Sequence, residues 1–140
     1  MAGDGCASIS AQGDLMITVL LVDDQSMVRR GLRMQLALEP DLAVVGEAES
    51  GEEALALAAR LQPDVILMDV ELPLMDGITT TAELRAAALK SAVVILSLYD
   101  DTKTRAAAQA AGAVAFVGKQ EQGETLLTAI RRAAAHSTGR

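Results

Sequence analysis

Five polar residues that could take part in chemistry each stand at or just after the end of a short apolar run. In chain order they are Asp23, Asp24, Asp69, Ser97 and Lys119. Together they offer carboxylates, a hydroxyl and an amine. Such groups can bind a hard cation and stabilise a charged group while it is transferred, provided that the fold brings them to one place.

Each of these residues also has a purely structural interpretation. An aspartate after a strand is often the N-cap of the next helix, so Asp23 or Asp24 could cap the first helix. A serine at a strand end is usually a satisfied hydroxyl, and a lysine after a strand is usually solvated. Asp69 is harder to explain in this way, because it closes a wholly apolar run and no helix begins directly after it. The combination of residues, more than any single one, indicates a shared site.

A cluster of this composition restricts the possible chemistry. Carboxylates about 4–5 Å apart repel one another by about 4 kcal/mol per pair at an effective dielectric constant near 20. Mg²⁺ would relieve this repulsion, since it binds one or two carboxylates and keeps several waters. Histidine and thiolate ligands are missing from the cluster, which argues against zinc. A carboxylate nucleophile beside Mg²⁺ and a lysine fits phosphoryl transfer, and without a glycine-rich phosphate loop a nucleotide donor is not indicated.

Five short runs rich in Val, Ile and Leu are typical of strands buried on both faces of a parallel sheet. We predict strands at Ile17–Val22, Leu42–Glu47, Asp64–Met68, Val93–Ser97 and Val114–Val117.

The stretches between these strands predict five helices. The first carries the apolar stripe Val28, Leu32 and Leu36, and the second begins at the capping box Ser50–Glu53 and ends before Pro63. The others are predicted from near Gly77 to about Leu89, over Thr102–Ala111 after a cap at Asp100 or Asp101, and over about Gln122–Ala135.

Alternating strands and helices predict an α/β fold, with one doubly wound, five-stranded parallel sheet and five helices on its two faces. Sites in such sheets form beyond the carboxyl ends of the strands, where all five polar residues are placed. The second strand supplies none of them, which favours an edge position and the strand order 2-1-3-4-5.

The composition fits one domain of 140 residues with a net charge of −7. No basic cluster is present, which argues against direct binding to nucleic acid or to an anionic membrane surface. No apolar stretch reaches the roughly 18 residues of a membrane span. The single cysteine, Cys6, cannot form an internal disulfide, which favours a reducing cytoplasm. We predict a disordered leader at 1–15, one domain at 16–136, and a tail or the start of a linker at 137–140.

The sequence resembles the receiver domains of bacterial response regulators, the CheY-like superfamily with its flavodoxin-like fold. The resemblance runs from about Ile17 to Ala135 and is strongest to the NarL/FixJ subfamily, whose members carry a LuxR-type helix-turn-helix output domain. It rests on the blocks VLLVDDQSMVRRGL, VVGEAESGEEAL, PDVILMDVELPLMDG, VVILS and AGAVAFVGK.

The resemblance implies roles for the residues of the site. Asp69 corresponds to the phosphoacceptor. Asp24 would bind Mg²⁺ directly, Asp23 mainly through water, and Glu71 through its backbone carbonyl. Lys119 would pair with Asp69 or with the phosphoryl oxygens.

The resemblance also implies a switch and partners. Ser97 would be the switch hydroxyl, and Phe116 would be the aromatic residue that turns inward on activation. The phosphoryl donor would be a sensor histidine kinase. A homodimer would form through the fourth helix, the fifth strand and the fifth helix, and DNA would be bound only by an output domain absent from this chain.

Two features depart from the common pattern. Leu98 is bulkier than the small residue usual there, and Gln120 replaces a common proline, which disfavours a cis peptide after Lys119. Two alternatives stay open at this point. One is a pseudo-receiver that only binds proteins, and the other is an aspartyl-phosphate hydrolase of the haloacid-dehalogenase type. That second family has an aspartate where Glu71 stands.

Overall fold

A computed structural model describes residues 16–121 and 123–137, which form five strands that alternate with five helices. The strands are β1 (Ile17–Val22), β2 (Leu42–Ala48), β3 (Val65–Asp69), β4 (Ala92–Ser97) and β5 (Ala115–Gly118). The helices are α1 (Ser26–Leu36), α2 (Gly51–Leu61), α3 (Gly77–Ala86), α4 (Thr102–Ala111) and α5 (Glu124–Ser137).

All the strands pair in parallel, in the order β2-β1-β3-β4-β5. This confirms the predicted fold and the edge position of the second strand. The register places Asp69 opposite Leu96 and Ser97 opposite Gly118. Because parallel strands share their direction, Asp23, which directly follows β1, lies at the same edge of the sheet as these residues.

Two apolar layers cover the sheet. Along β1, Leu21 packs in the layer that contains Ile130 of α5, whereas its neighbour Leu20 packs in the layer that contains Leu84 of α3. This alternation is the two-residue period of a strand buried on both faces. The central strands are therefore packed on both faces, and the site residues project from their carboxyl ends.

Polar side chains define where three of the helices begin. Ser50, Asp76 and Asp101 each accept a hydrogen bond from the backbone N–H three residues ahead. Asp101, not Asp100, is thus the cap of α4. The first helix differs, because its N-cap is Gln25 without a side-chain cap bond. The expectation that Asp23 or Asp24 could cap α1 is therefore wrong.

Some predicted boundaries also need correction. The third helix ends at Ala86 and not near Leu89, and Ala88 has a positive φ of 59°. The fifth helix covers Glu124–Ser137, so it ends two residues beyond its predicted end at about Ala135. β5 lies one residue later than predicted, at Ala115–Gly118.

The predicted leader at 1–15 and most of the predicted tail lie outside the described residues. Within the described part, no helix has both the length and the apolar character needed to cross a membrane. Every peptide bond described is trans, as we expected for the bond after Lys119.

Candidate functional site

Three aspartates meet at the carboxyl edge of the sheet. Asp23, Asp24 and Asp69 each present a carboxylate oxygen, and these oxygens lie within 4.8 Å of one another. Asp23 and Asp69 are buried, with 2% and 3% of their surface exposed, whereas Asp24 is exposed. The cluster therefore has two fixed carboxylates at its base and one at its mouth.

Lys119 joins the two buried carboxylates. Its Nζ lies 3.3 Å from Oδ2 of Asp23 and 3.1 Å from Oδ1 of Asp69. Its backbone N–H donates to the carbonyl of Ser97 at 2.8 Å, which fixes the start of the side chain beside the end of β4. Burial works to lower the pKa of Lys119, but the charges of Asp69 and Asp23 outweigh burial and raise it. The amine therefore stays protonated at neutral pH.

The single lysine does not fully compensate the charge on Asp69. Burial and the neighbouring carboxylate of Asp23 raise the pKa of Asp69 to about 6, against the lowering effect of Lys119 and of the backbone N–H of Glu71. That N–H lies 3.3 Å from Oδ1 of Asp69. The site is thus short of positive charge, and a cation bound among these oxygens would favour the ionised form.

A close backbone approach shapes the loop after Asp69. A Cβ atom on Gly77 would lie 2.0 Å from the carbonyl oxygen of Asp69, so only glycine fits at the start of α3. The N–H of Gly77 also donates to the carbonyl of Val70 at 2.8 Å. The side chain of Glu71 is exposed.

Arg29 supports the site and was missed by sequence analysis. It is buried on α1 and donates from Nη1 to the carbonyl of Asp23 at 2.5 Å. Its Nε pairs with Glu47 of β2 at 2.9 Å. The N–H of Gln25 in turn donates to Oδ1 of Asp23 at 2.9 Å. Both the backbone and the carboxylate of Asp23 are therefore held in place.

Ser97 contacts the loop after β4, and Phe116 contacts α4. The hydroxyl of Ser97 is buried, accepts from the N–H of Tyr99 at 3.0 Å and can donate to its carbonyl at 3.1 Å. Phe116 is half-buried on β5, with the guanidinium of Arg105 4.7 Å from the centre of its ring. Leu98 and Tyr99 are both largely exposed.

The donor set fits a hard divalent cation. It consists of the carboxylate oxygens of three aspartates, and the deficit of positive charge at Asp69 is what such an ion would correct. The exposed Asp24 leaves one side open, so an ion held here would keep water and have room for a further oxygen ligand.

A family model described as the response regulator receiver domain matches residues 19–131. The chain belongs to this family. The match contains every element from β1 into α5, and thus the whole acidic cluster and Lys119. It confirms the recognition made from sequence, and it sets aside the alternative of a haloacid-dehalogenase hydrolase.

Receiver domains of transcription regulators are among its relatives. The chain is 38% identical over 118 residues to the nitrate/nitrite response regulator protein NarL of Escherichia coli K12, covering 84% of this chain and 55% of that protein. It is 42% identical over 119 residues to the transcriptional regulatory protein LiaR of Bacillus subtilis, covering 84% and 56%. The chain therefore spans about half the length of these curated relatives.

A solved receiver domain has the same fold. The signal receiver domain of NarL from Mycobacterium tuberculosis superposes with a TM-score of 0.78 at 31% identity, covering 89% of this chain and 98% of that one. The receiver fold thus accounts for nearly all of the described structure.

Proposed function

We propose that this receiver domain is the phosphoacceptor of a two-component response regulator, and that Asp69 takes the phosphoryl group. The observation that carries the proposal is the environment of Asp69. It is buried at the end of β3, pairs with Lys119 at 3.1 Å, and shares an oxygen cluster within 4.8 Å with Asp23 and Asp24. A buried carboxylate with one cation at hand and room for another is suited to nucleophilic attack on a phosphoryl group.

In this mechanism an oxygen of Asp69 bonds to phosphorus while the P–N bond to the phosphohistidine of a sensor histidine kinase breaks. The imidazole leaves with the bonding electron pair. Lys119 stabilises the charge on the transferred oxygens, and Ser97 turns its hydroxyl toward the phosphoryl group. The domain catalyses no other reaction than this phosphorylation and its own dephosphorylation.

We propose Mg²⁺ as the cofactor, held by Asp24, by Asp23 mainly through water, by Asp69 and by the backbone carbonyl of Glu71. The ion would neutralise charge on the phosphoryl oxygens. Asp23 and Lys119 are already fixed by protein contacts, so the residues of the chain are arranged before the ion and the donor arrive.

We further propose that phosphorylation changes the surface made by α4, β5 and α5, and that this surface forms a homodimer. β5 is an edge strand, and a groove of about 540 Å³ lies between it and α5, lined by Phe116, Thr128 and Arg132 among others. In the whole protein, which we place in the cytoplasm, the switch would control a DNA-binding output domain, as the names of its regulator relatives imply.

The acceptor assignment is tested by incubating the purified domain with acetyl phosphate and measuring intact mass. The parent should gain one phosphoryl group in the presence of Mg²⁺ and lose this gain with a chelator. Asp69→Asn should remain unmodified. Asp76→Asn is the matched control, because Asp76 is exposed, caps α3, and keeps its capping oxygen as asparagine.

Two results would count against the acceptor assignment. One is full labelling of folded Asp69→Asn, which would place the phosphoryl group elsewhere. The other is an unlabelled parent at saturating Mg²⁺ and donor, which would favour the pseudo-receiver.

The dimer surface has a separate test. Light scattering with and without beryllofluoride should show that the phosphoryl mimic shifts the domain toward dimers, and Arg132→Glu on the groove should reduce the shift. Amide exchange should change in residues 98–119. The proposed surface would be contradicted if changes in amide exchange were confined to the surroundings of Asp69 and the molecular mass from light scattering did not change.

A further inference from the structure

We propose that Arg105 is a positioning residue that couples the loop after Ser97 to the ring of Phe116. Its guanidinium contacts the ring on one side and Asp100 of the loop on the other, so one side chain connects two parts of the domain. The link to phosphorylation rests on the proposed role of Ser97. The positioning of the ring by Arg105 does not.

The contact to the ring is direct. The Cζ atom of Arg105 lies 4.7 Å from the centroid of Phe116, within the range of cation–π attraction. Arginine is suited to this position because its guanidinium is planar and can stack on a ring while its N–H groups pair with a carboxylate in the plane. Phe116 is half-buried in this arrangement.

Asp100 fixes the guanidinium with two hydrogen bonds. Nε of Arg105 pairs with Oδ1 of Asp100, and Nη2 donates to Oδ2 at 3.1 Å. This fork-to-fork geometry sets the plane of the guanidinium as well as its position. The orientation of Arg105 over the ring therefore depends on where the loop places Asp100.

The loop itself depends on Ser97. The Ser97 hydroxyl bonds to both the N–H and the carbonyl of Tyr99, at 3.0 and 3.1 Å, and Tyr99 directly precedes Asp100. If the hydroxyl turns toward a phosphoryl group, these two bonds are lost and the loop is released. Asp100 then moves, Arg105 loses its fixed orientation, and the ring is no longer held in its present position.

Space for this change exists beside the ring. A groove of about 260 Å³ lies between α4 and β5, lined by Arg105, Ala108, Val114 and Phe116 among others. The small side chains of α4 leave this room, so Arg105 and the ring can change position without displacing a large core residue. A ring that exchanges between two positions needs such room.

The composition of the chain makes the test direct. It contains one phenylalanine, so 4-fluorophenylalanine introduces a single fluorine at Phe116. The resonance of that fluorine in the unmodified domain reports the ring position without any phosphorylation. Arg105→Gln should move it toward its position in the beryllofluoride-bound parent. The expected change is about two- to fivefold in the equilibrium between ring positions, the value of an exposed cation–π contact.

Four variants make the result specific. Asp100→Asn should move the resonance in the same direction, and the double variant should move it by less than the sum of the two. Arg105→Lys, which keeps the charge but not the planar fork, should give an intermediate position. Lys103→Gln removes the same charge from an exposed position of the same helix and should leave the resonance unchanged.

The two proposals fail in different ways. If no separate fluorine signal from protein-bound beryllofluoride appears, the phosphoacceptor role is contradicted. The spectrum of Arg105→Gln without beryllofluoride still decides the role of Arg105. That role is overturned if Arg105→Gln and Asp100→Asn leave the resonance at the parent position. An equal shift in Lys103→Gln would also overturn it, since general charge on α4 would then be the cause.

Discussion

Arg29 donates to the backbone carbonyl of Asp23 at 2.5 Å, so a buried arginine of α1 fixes the residue that follows β1. The same side chain pairs with Glu47 of β2. Three consecutive elements thus meet at one guanidinium beside the acidic cluster. This contact therefore holds the backbone of Asp23 in place within the site.

Replacing Arg29 should therefore destabilise the domain. Arg29→Met leaves the carbonyl of Asp23 without this donor, and we expect a loss of about 1–3 kcal/mol in the free energy of unfolding, measured with urea. Arg33→Met is the control, because Arg33 pairs with the same Glu47 from an exposed position and should cost less than about 1 kcal/mol. Equal losses would show that the contact to Asp23 contributes nothing.

The raised pKa of Asp69 predicts how stability depends on pH without metal. The pKa of Asp69 in the folded domain is about 6, above its ordinary value near 4. Protonation of Asp69 therefore stabilises the folded state in full below about pH 4, and this stabilisation is lost as the pH rises through 6. Asp69→Asn should then be more stable than the parent above pH 6, by about 1–3 kcal/mol, and close to it at pH 4. Urea unfolding in a chelator across this range measures the difference. A constant difference across the range would contradict the assigned pKa.

Mg²⁺ should stabilise the parent by binding to the folded state. We expect the melting temperature to rise with Mg²⁺ concentration, and Asp24→Asn to lose most of that rise, because Asp24 supplies the exposed oxygen of the cluster. Asp76→Asn should respond as the parent does. Calorimetry at several Mg²⁺ concentrations tests this, and a melting temperature indifferent to Mg²⁺ in the parent would contradict the metal site.

A pair of glycines tests the backbone geometry of the acceptor loop. Gly77→Ala places a Cβ 2.0 Å from the carbonyl oxygen of Asp69 and should cost at least about 2 kcal/mol of stability. Gly31→Ala, in the middle of α1 with no atom within 4 Å of the new Cβ, should stabilise by about 0.5–1 kcal/mol. Thermal unfolding of both variants gives the comparison, and a neutral Gly77→Ala would mean that the loop moves freely.

Much of the fold could be predicted from the sequence because its strands carry a strong and simple pattern. The runs ending at Val22, Asp69 and Ser97 are buried on both faces, so their composition indicates a parallel sheet. The position of a site at the carboxyl ends then follows from the topology. The meeting of Asp23, Asp69 and Lys119 is confirmed by their distances.

Other features depend on contacts between distant parts of the chain. Arginines are usually exposed, so the burial of Arg29 could not be predicted before β2 placed Glu47 beside it. No helix-terminating residue in the sequence marks the end of α3 at Ala86, since the residues that follow directly are alanines and a leucine. There the helix ends through the positive φ of Ala88 and a bond from the N–H of Leu89 to the carbonyl of Leu84.

The most direct test of the central claim is to locate the phosphoryl group. An acyl phosphate is reduced by borohydride, which converts the modified aspartate to homoserine. Peptide mass spectrometry after phosphorylation with acetyl phosphate and Mg²⁺ should therefore find homoserine at position 69 and nowhere else among the aspartates. Homoserine at position 23 or 24, or a labelled domain that contains none, would contradict the account.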